Sequence, residues 1–153
     1  MKIHKCRNCN KKKFFNLFSL GKMSYTGKFP KNKKIDIPKE EIKLIMCSKC
    51  KLVQISKNFS LNYMYNQDYG YRTGINQTMS NHVKELVKKI NNICDLKKDD
   101  VVLDIASNDG TLLNYYSPKI IKVGVDPLVS KYKKNYKSVN YKYSNFFEKK
   151  LLN

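Results

Sequence analysis

The chain has 153 residues, 41% of them hydrophobic, with a formal net charge of +19 and a pI near 9.7. That is room for one ordinary domain, or a small one beside an incomplete one, with enough apolar content for a packed core. No apolar run approaches the roughly 20 residues that span a bilayer, and MKIHKC opens on charge and a cysteine, without the apolar stretch of a secretory leader.

A cytoplasmic, reducing location is therefore expected, where cysteines act as metal ligands or buried thiols before disulfides. So strong a positive charge first suggests nucleic acid or an anionic surface. Arg7 and Arg72 are the only arginines, however, and every other cation is lysine. Phosphate-reading surfaces favour the bidentate fork of arginine. The lysines thus read as a solvated coat, and a zinc-ribbon nucleic-acid-binding module stays as the alternative.

In chain order, the first feature is CRNC, with Cys6 and Cys9; its counterpart CSKC holds Cys47 and Cys50, with 37 residues between the pairs. A C-x-x-C turn lets two thiolates grip one metal ion. Two such turns complete a tetrahedral all-cysteine zinc site, closed and structural. Lys5, Arg7, Lys49 and Lys51 flank the pairs and offset the negative charge of a zinc tetrathiolate. Neither pair sits where a redox C-x-x-C would, at a helix start after a strand. FFNLFSLG (14–21), EIKLIM (41–46) and KLVQIS (51–56) read as short strands, and the lysine-rich 28–41 segment with Pro30 and Pro38 as mostly loop. A zinc-ribbon-like β module over 1–60 is predicted.

Residues 61–75 form an aromatic linker, with Tyr63, Tyr65, Tyr69 and Tyr71 close together. They pack a connection or form a lip over a cleft. A helix is predicted over 76–93 from the stripe Met79, Val83, Leu86, Val87, Ile90 and Ile93, capped by Thr78 or Ser80. His82 lies beside that stripe, and Cys94 reads as a small buried apolar residue.

The densest information is in VVLDIASNDGTLLNYY, residues 101–116. DVVLDI (100–105) is apolar apart from its ends, as in a strand covered by helices on both faces. Helices over 110–116 and 128–136, with strands over 120–126 and 139–144, complete a β-α-β-α-β order, half of a doubly wound fold. Asp104 and Asp126 stand at the ends of the first two strands. The intervening loop has Ala106 and Asn108 where a dinucleotide loop carries glycine, and Asn108 and Asp109 face whatever binds there. A carboxylate disfavours phosphate but suits a ligand with a cationic end, such as S-adenosylmethionine (SAM). No G-K-[ST] follows, which excludes P-loop chemistry.

The succession CRNC, CSKCKLVQ, YGYRTGINQTMSNH, VVLDIASNDGTLL, VGVDP and NFF resembles the zinc-containing, SAM-dependent sugar C-methyltransferases, which act beside the keto group of nucleotide-linked deoxysugars. The resemblance implies zinc at Cys6, Cys9, Cys47 and Cys50. It implies a SAM site at Asp104, Ala106, Ser107, Asn108, Gly110 and Asp126, with Asn145 and Phe146 near the adenine, and a nucleotide-sugar substrate. Tyr71 and His82 would flank the cleft as contributors to catalysis. Ala106 stands where that family usually has glycine. The family's Tyr/His/Glu base block follows the third strand, and this sequence reaches Asn153 without one. The fold expected is thus α/β: the zinc module, then over 76–153 an incomplete Rossmann-like class I methyltransferase sheet. Its first strand would be an open edge, and a truncated enzyme or a second chain completing the sheet would follow.

Overall fold

The computed structural model describes residues 2–25, 30, 32 and 34–148. Part of the loop expected over 28–41 and the last lysines of NFFEKK lie outside the described residues. The chain divides into two compact units, Met1–Gly70 and Tyr71–Asn153.

The first unit is an antiparallel sheet of β1 (Phe14–Ser24), β2 (Lys39–Cys47) and β3 (Val53–Ile55), in that order, followed by the short helix α1 (Leu61–Met64). Register shifts after Asn16 and Ser19 bend β1, and Gly21 takes the left-handed φ of 73° there. The strand does not cover a core: Phe15, Leu17, Phe18, Leu20 and Met23 are all exposed. Among the described residues of this unit, the buried apolar side chains are Cys6, Ile45 and Cys47. Tyr25 adds a small aromatic cluster, packing edge-on against Phe59 and tilted against Tyr63.

The second unit opens with a single 3-10 turn, Thr73–Ile75, and α2 (Gln77–Cys94). The cap expected at Thr78 or Ser80 is instead Asn76, whose side chain accepts from the Met79 N–H. Val83 and Val87 of the predicted stripe are buried, while Met79, Leu86 and Ile93 are exposed. Cys94, expected inside, is exposed, because it is the last helical residue before left-handed Asp95.

A parallel sheet follows: β4 (Val101–Ile105), β5 (Ile121–Val125) and β6 (Tyr141–Tyr143), in that order. The intervening helices are shorter than predicted. They are α3 (Thr111–Asn114) and α4 (Val129–Tyr132), the latter continued by a 3-10 turn over Lys133–Asn135. Leu113 and Val129 of these crossovers join Tyr136 and Val139 in one core with Val102. Burying side chains of this size contributes about 1.5–3 kcal/mol each.

β4 is therefore not the doubly covered strand that its composition suggests. It is an edge strand, as the resemblance implied. Val101, Leu103 and Ile105 lie exposed, on the face that Tyr141 and Tyr143 share through the register. The opposite face of β5 carries a lysine. Lys122 is 1% exposed, and its Nζ donates to the Tyr116 carbonyl (3.2 Å) and the Ser138 hydroxyl (2.9 Å). Burial pushes its pKa below the ordinary lysine value.

Candidate functional site

The two cysteine pairs are built alike. In the first, the Cys6 N–H donates to the Lys11 carbonyl and the Asn10 N–H returns to the Cys6 carbonyl (2.9 and 3.0 Å). In the second, the Cys47 N–H donates to Leu52 and the Lys51 N–H returns to Cys47 (2.9 and 3.1 Å). Each turn closes through a left-handed residue at the same offset, Asn10 (φ 59°) and Lys51 (φ 61°). The repetition aims four sulfurs at one point. Cys6 and Cys50 stand 3.6 Å apart, Cys9 and Cys47 3.5 Å, and all four Sγ atoms lie within 4.8 Å of one another.

A zinc ion with sulfurs at about 2.3 Å sets tetrahedral S–S edges of roughly 3.8 Å, so the cluster fits that ion. The leading cysteine of each pair is prepared as a thiolate. The backbone N–H of Cys9 holds the Cys6 thiol down, to about 6, and that of Cys50 lowers Cys47. Cys9 differs. The Lys11 N–H favours its thiolate, but burial and the three other sulfurs outweigh it and push the thiol up to about 11. A dication removes that mutual repulsion.

One supporting residue was not singled out from the sequence. Gln54, buried on β3, donates from Nε2 to the Cys6 sulfur (3.4 Å). Its carbonyl oxygen accepts from both the N–H and the guanidinium of Arg7 (3.3 Å each). Arg7 continues to the Ile55 carbonyl (3.0 Å) and the Asn58 side chain (2.7 Å). A glutamine at the second position of a strand after CxxC was the available signal, and it names no partner by itself.

In the second unit, the loop after β4 takes a left-handed backbone at alternate residues: Ala106 (φ 64°), Asn108 (φ 50°) and Gly110 (φ 75°). These are the positions where a glycine-rich loop has its glycines, so the loop holds that shape with a glycine at only the third of them. Three buried groups hold it from below. The Ser107 hydroxyl meets the Tyr136 hydroxyl (2.8 Å), and the Tyr136 hydroxyl also donates to the Asn108 carbonyl (2.9 Å). Gly110 and Gly124 lie so close to the Tyr136 ring that a Cβ would come within 2.7 and 2.9 Å of it. The Asp126 carboxylate accepts from the Asn108 N–H (3.0 Å) and the Leu128 N–H (2.7 Å).

Asn108 and Asp109, read from the sequence as groups offered to a ligand, hydrogen-bond within the chain. Asp109 is 1% exposed; it accepts from the Arg72 Nε and the Gly74 N–H (3.0 Å each) and from the Thr111 hydroxyl (2.6 Å). Asn108 accepts from the Thr73 N–H (2.9 Å) and donates to the Tyr71 carbonyl (3.3 Å). Together they staple the 71–74 segment onto the loop. The physical reason is cost: a carboxylate beside an apolar core is tolerated when it is ion-paired and fully hydrogen-bonded.

Asp104 has no such partners. Among the described residues nothing hydrogen-bonds its half-buried carboxylate, and burial together with the charge of Asp126 pushes it up to about 6. The charges of the two strand-end acids thus act on one another. Directly after Asp126 in the chain, Pro127 joins Ser144, Asn145, Phe146 and Glu148 in lining a hollow of about 270 Å³. Tyr71 is exposed at the edge of the loop, and His82 is exposed on α2 with no hydrogen bond to the loop.

Residues 6–65 match a methyltransferase-related family described as a zinc binding domain. The match ends just after α1, so it spans the cysteine cluster and the sheet that carries it. It fits the N-terminal, zinc-containing portion of a methyltransferase, with the four cysteines of the zinc module placed to bind the metal. No curated protein matches the chain. No helix among the described residues is long and apolar enough to cross a membrane.

Proposed function

We propose that the second unit is the cofactor-binding part of a Rossmann-like, SAM-dependent methyltransferase acting on a nucleotide-linked sugar, and that the zinc module is its structural companion. The loop after β4 carries this reading. Of the six amide N–H groups from Ala106 to Thr111, five are taken by protein acceptors, those of Val125, Asp126, Ser107 and Asp109. A pyrophosphate needs such groups pointing outward. This loop suits a nucleoside without phosphate, and Asp104 adds an unpartnered carboxylate for a cationic or hydroxyl-bearing end. Asn145 and Phe146, at the neighbouring hollow, suit the base. The relation of the zinc module to methyltransferases supports the transfer chemistry. The sugar substrate rests on the order of sequence blocks.

The geometry also chooses the test. Asp126 holds the loop through the Asn108 N–H, so its removal mixes binding with folding. Asp104 does not. Titrating SAM calorimetrically into the zinc-loaded chain should give saturable binding, weakened about ten-fold or more in Asp104→Asn, as for loss of a charge-assisted contact. Equal affinity in the two proteins, or tighter binding of NAD than of SAM, overturns the proposal.

A further inference from the structure

The loop after β4 turns most of its amides inward, but the arginine stapled to it keeps two nitrogens without an acceptor among the described residues. The Arg72 Nε is held at 3.0 Å by the buried Asp109 carboxylate, while none of the described residues accepts from its two terminal nitrogens. Arg72 lines a hollow of about 640 Å³ together with Lys131, Lys133 and Lys134, Ser130, Tyr132 and Asn135, and no carboxylate among the described residues lines it. Lys133 and Lys134 sit in one 3-10 turn, and the Lys131 Nζ stands over the Tyr132 ring at 5.3 Å.

We propose that this hollow binds the diphosphate group of a small ligand. A guanidinium anchored through Nε presents its remaining N–H groups in a fixed plane, the arrangement that grips phosphate oxygens in pairs. Anchoring by Asp109 removes the ordering cost that a free arginine would meet on binding. The lysines add charge around that fork, and the volume falls within the roughly 300–1,000 Å³ of small-ligand sites. The lysine coat alone does not explain the site. A second basic hollow of about 600 Å³, on the first unit, is lined by Asn10, Lys11, Lys12 and Lys13, and it has neither an arginine nor an anchoring acid. The inference concerns different residues from the SAM site and a ligand of opposite charge; a nucleotide-linked sugar, the substrate proposed above, is one ligand that carries such a diphosphate.

The two hollows provide the experiment. Inorganic diphosphate and ADP are titrated separately into the zinc-loaded full chain, into Lys133→Ala/Lys134→Ala, and into Lys11→Ala/Lys12→Ala/Lys13→Ala. Expected is binding that weakens about ten-fold or more in the Lys133/Lys134 variant and is unchanged in the Lys11–Lys13 variant, as for loss of charged hydrogen bonds. Binding should also fall as salt is raised. ADP binding better than diphosphate identifies a nucleotide ligand, and equal binding identifies free diphosphate. Equal losses in both variants, or none in either, overturn the proposal and return the charge to a solvated coat. SAM affinity should be unaffected in Lys133→Ala/Lys134→Ala, and diphosphate affinity unaffected in Asp104→Asn, so failure of one reading is separable from failure of the other.

Discussion

Each unit is built on a three-stranded sheet, yet different forces hold them. In the zinc module the described buried apolar residues are Cys6, Ile45 and Cys47, and two of the three are metal ligands. In the second unit ten such residues are buried, from Val83 to Val139. The module has a metal-binding cluster where the second unit has a core. The comparison breaks most sharply on metal removal. Structural zinc contributes on the order of 10 kcal/mol to folding in small domains. Strong chelation, or Cys47→Ser, should therefore abolish amide protection in β1–β3, while the methyl resonances of Leu113 and Val129 stay dispersed. Retained protection in β2 after chelation would show that the exposed sheet stands without the ion.

The zinc cluster was legible in the sequence because its chemistry is local: C-x-x-C fixes two ligands in one turn, and only the meeting of two turns is tertiary. The order of strands and helices was legible from periodicity and turns. What was not legible depends on register and distant pairing. Lys122 looks like the polar member of IIKVGVD, but parallel pairing with Val102 sends it inward under Ser138. Tyr136 reads as one tyrosine among many until the fold sets it beneath Gly110 and Gly124. Asp109 reads as a ligand group because the sequence does not show that Arg72 returns to it. The exposed face of β4 was hidden by composition, since an apolar strand reads the same whether covered on two faces or one.

A smaller effect separates Asp104 from the rest of the second unit, whose buried side-chain polar groups are satisfied among the described residues. Asp104 in the folded chain titrates near 6, against 3.8 for an ordinary aspartate. Between those values the folded state binds more protons than the unfolded one, so stability falls as pH rises through the window. The penalty is complete at pH 7 and absent below 3.8. Asp104→Asn removes it. With the carboxylate part-exposed and solvent-screened, the variant should be more stable at pH 7 by about 1 kcal/mol. The difference should vanish in acid denaturation series below the window. A variant that folds better and binds SAM worse marks a group kept for its ligand. A variant that is less stable at pH 7 would mean that Asp104 has a stabilising partner after all.

The smallest expected effect lies in the loop itself. Ala106 is exposed and left-handed at φ 64°, a conformation that costs an L-residue with a Cβ about 1–2 kcal/mol. Glycine removes that strain but has more freedom to lose from the unfolded chain, about 0.5–1 kcal/mol. The net gain for Ala106→Gly is thus about 0.5 kcal/mol, read as a small rise in the unfolding midpoint with an unchanged denaturant slope. Asn108, at φ 50°, should not respond in the same way. Its side chain bridges Thr73 and Tyr71, so Asn108→Gly relieves less strain and removes the staple, lowering stability despite the same backbone shape. Opposite signs at two residues of one loop would show that the glycine-like path is held from outside, by Tyr136, Asp126 and the 71–74 segment, rather than by the loop's own preference. Equal gains at both would mean that the bonds to Asn108 contribute nothing, and the loop would then be set by its backbone alone.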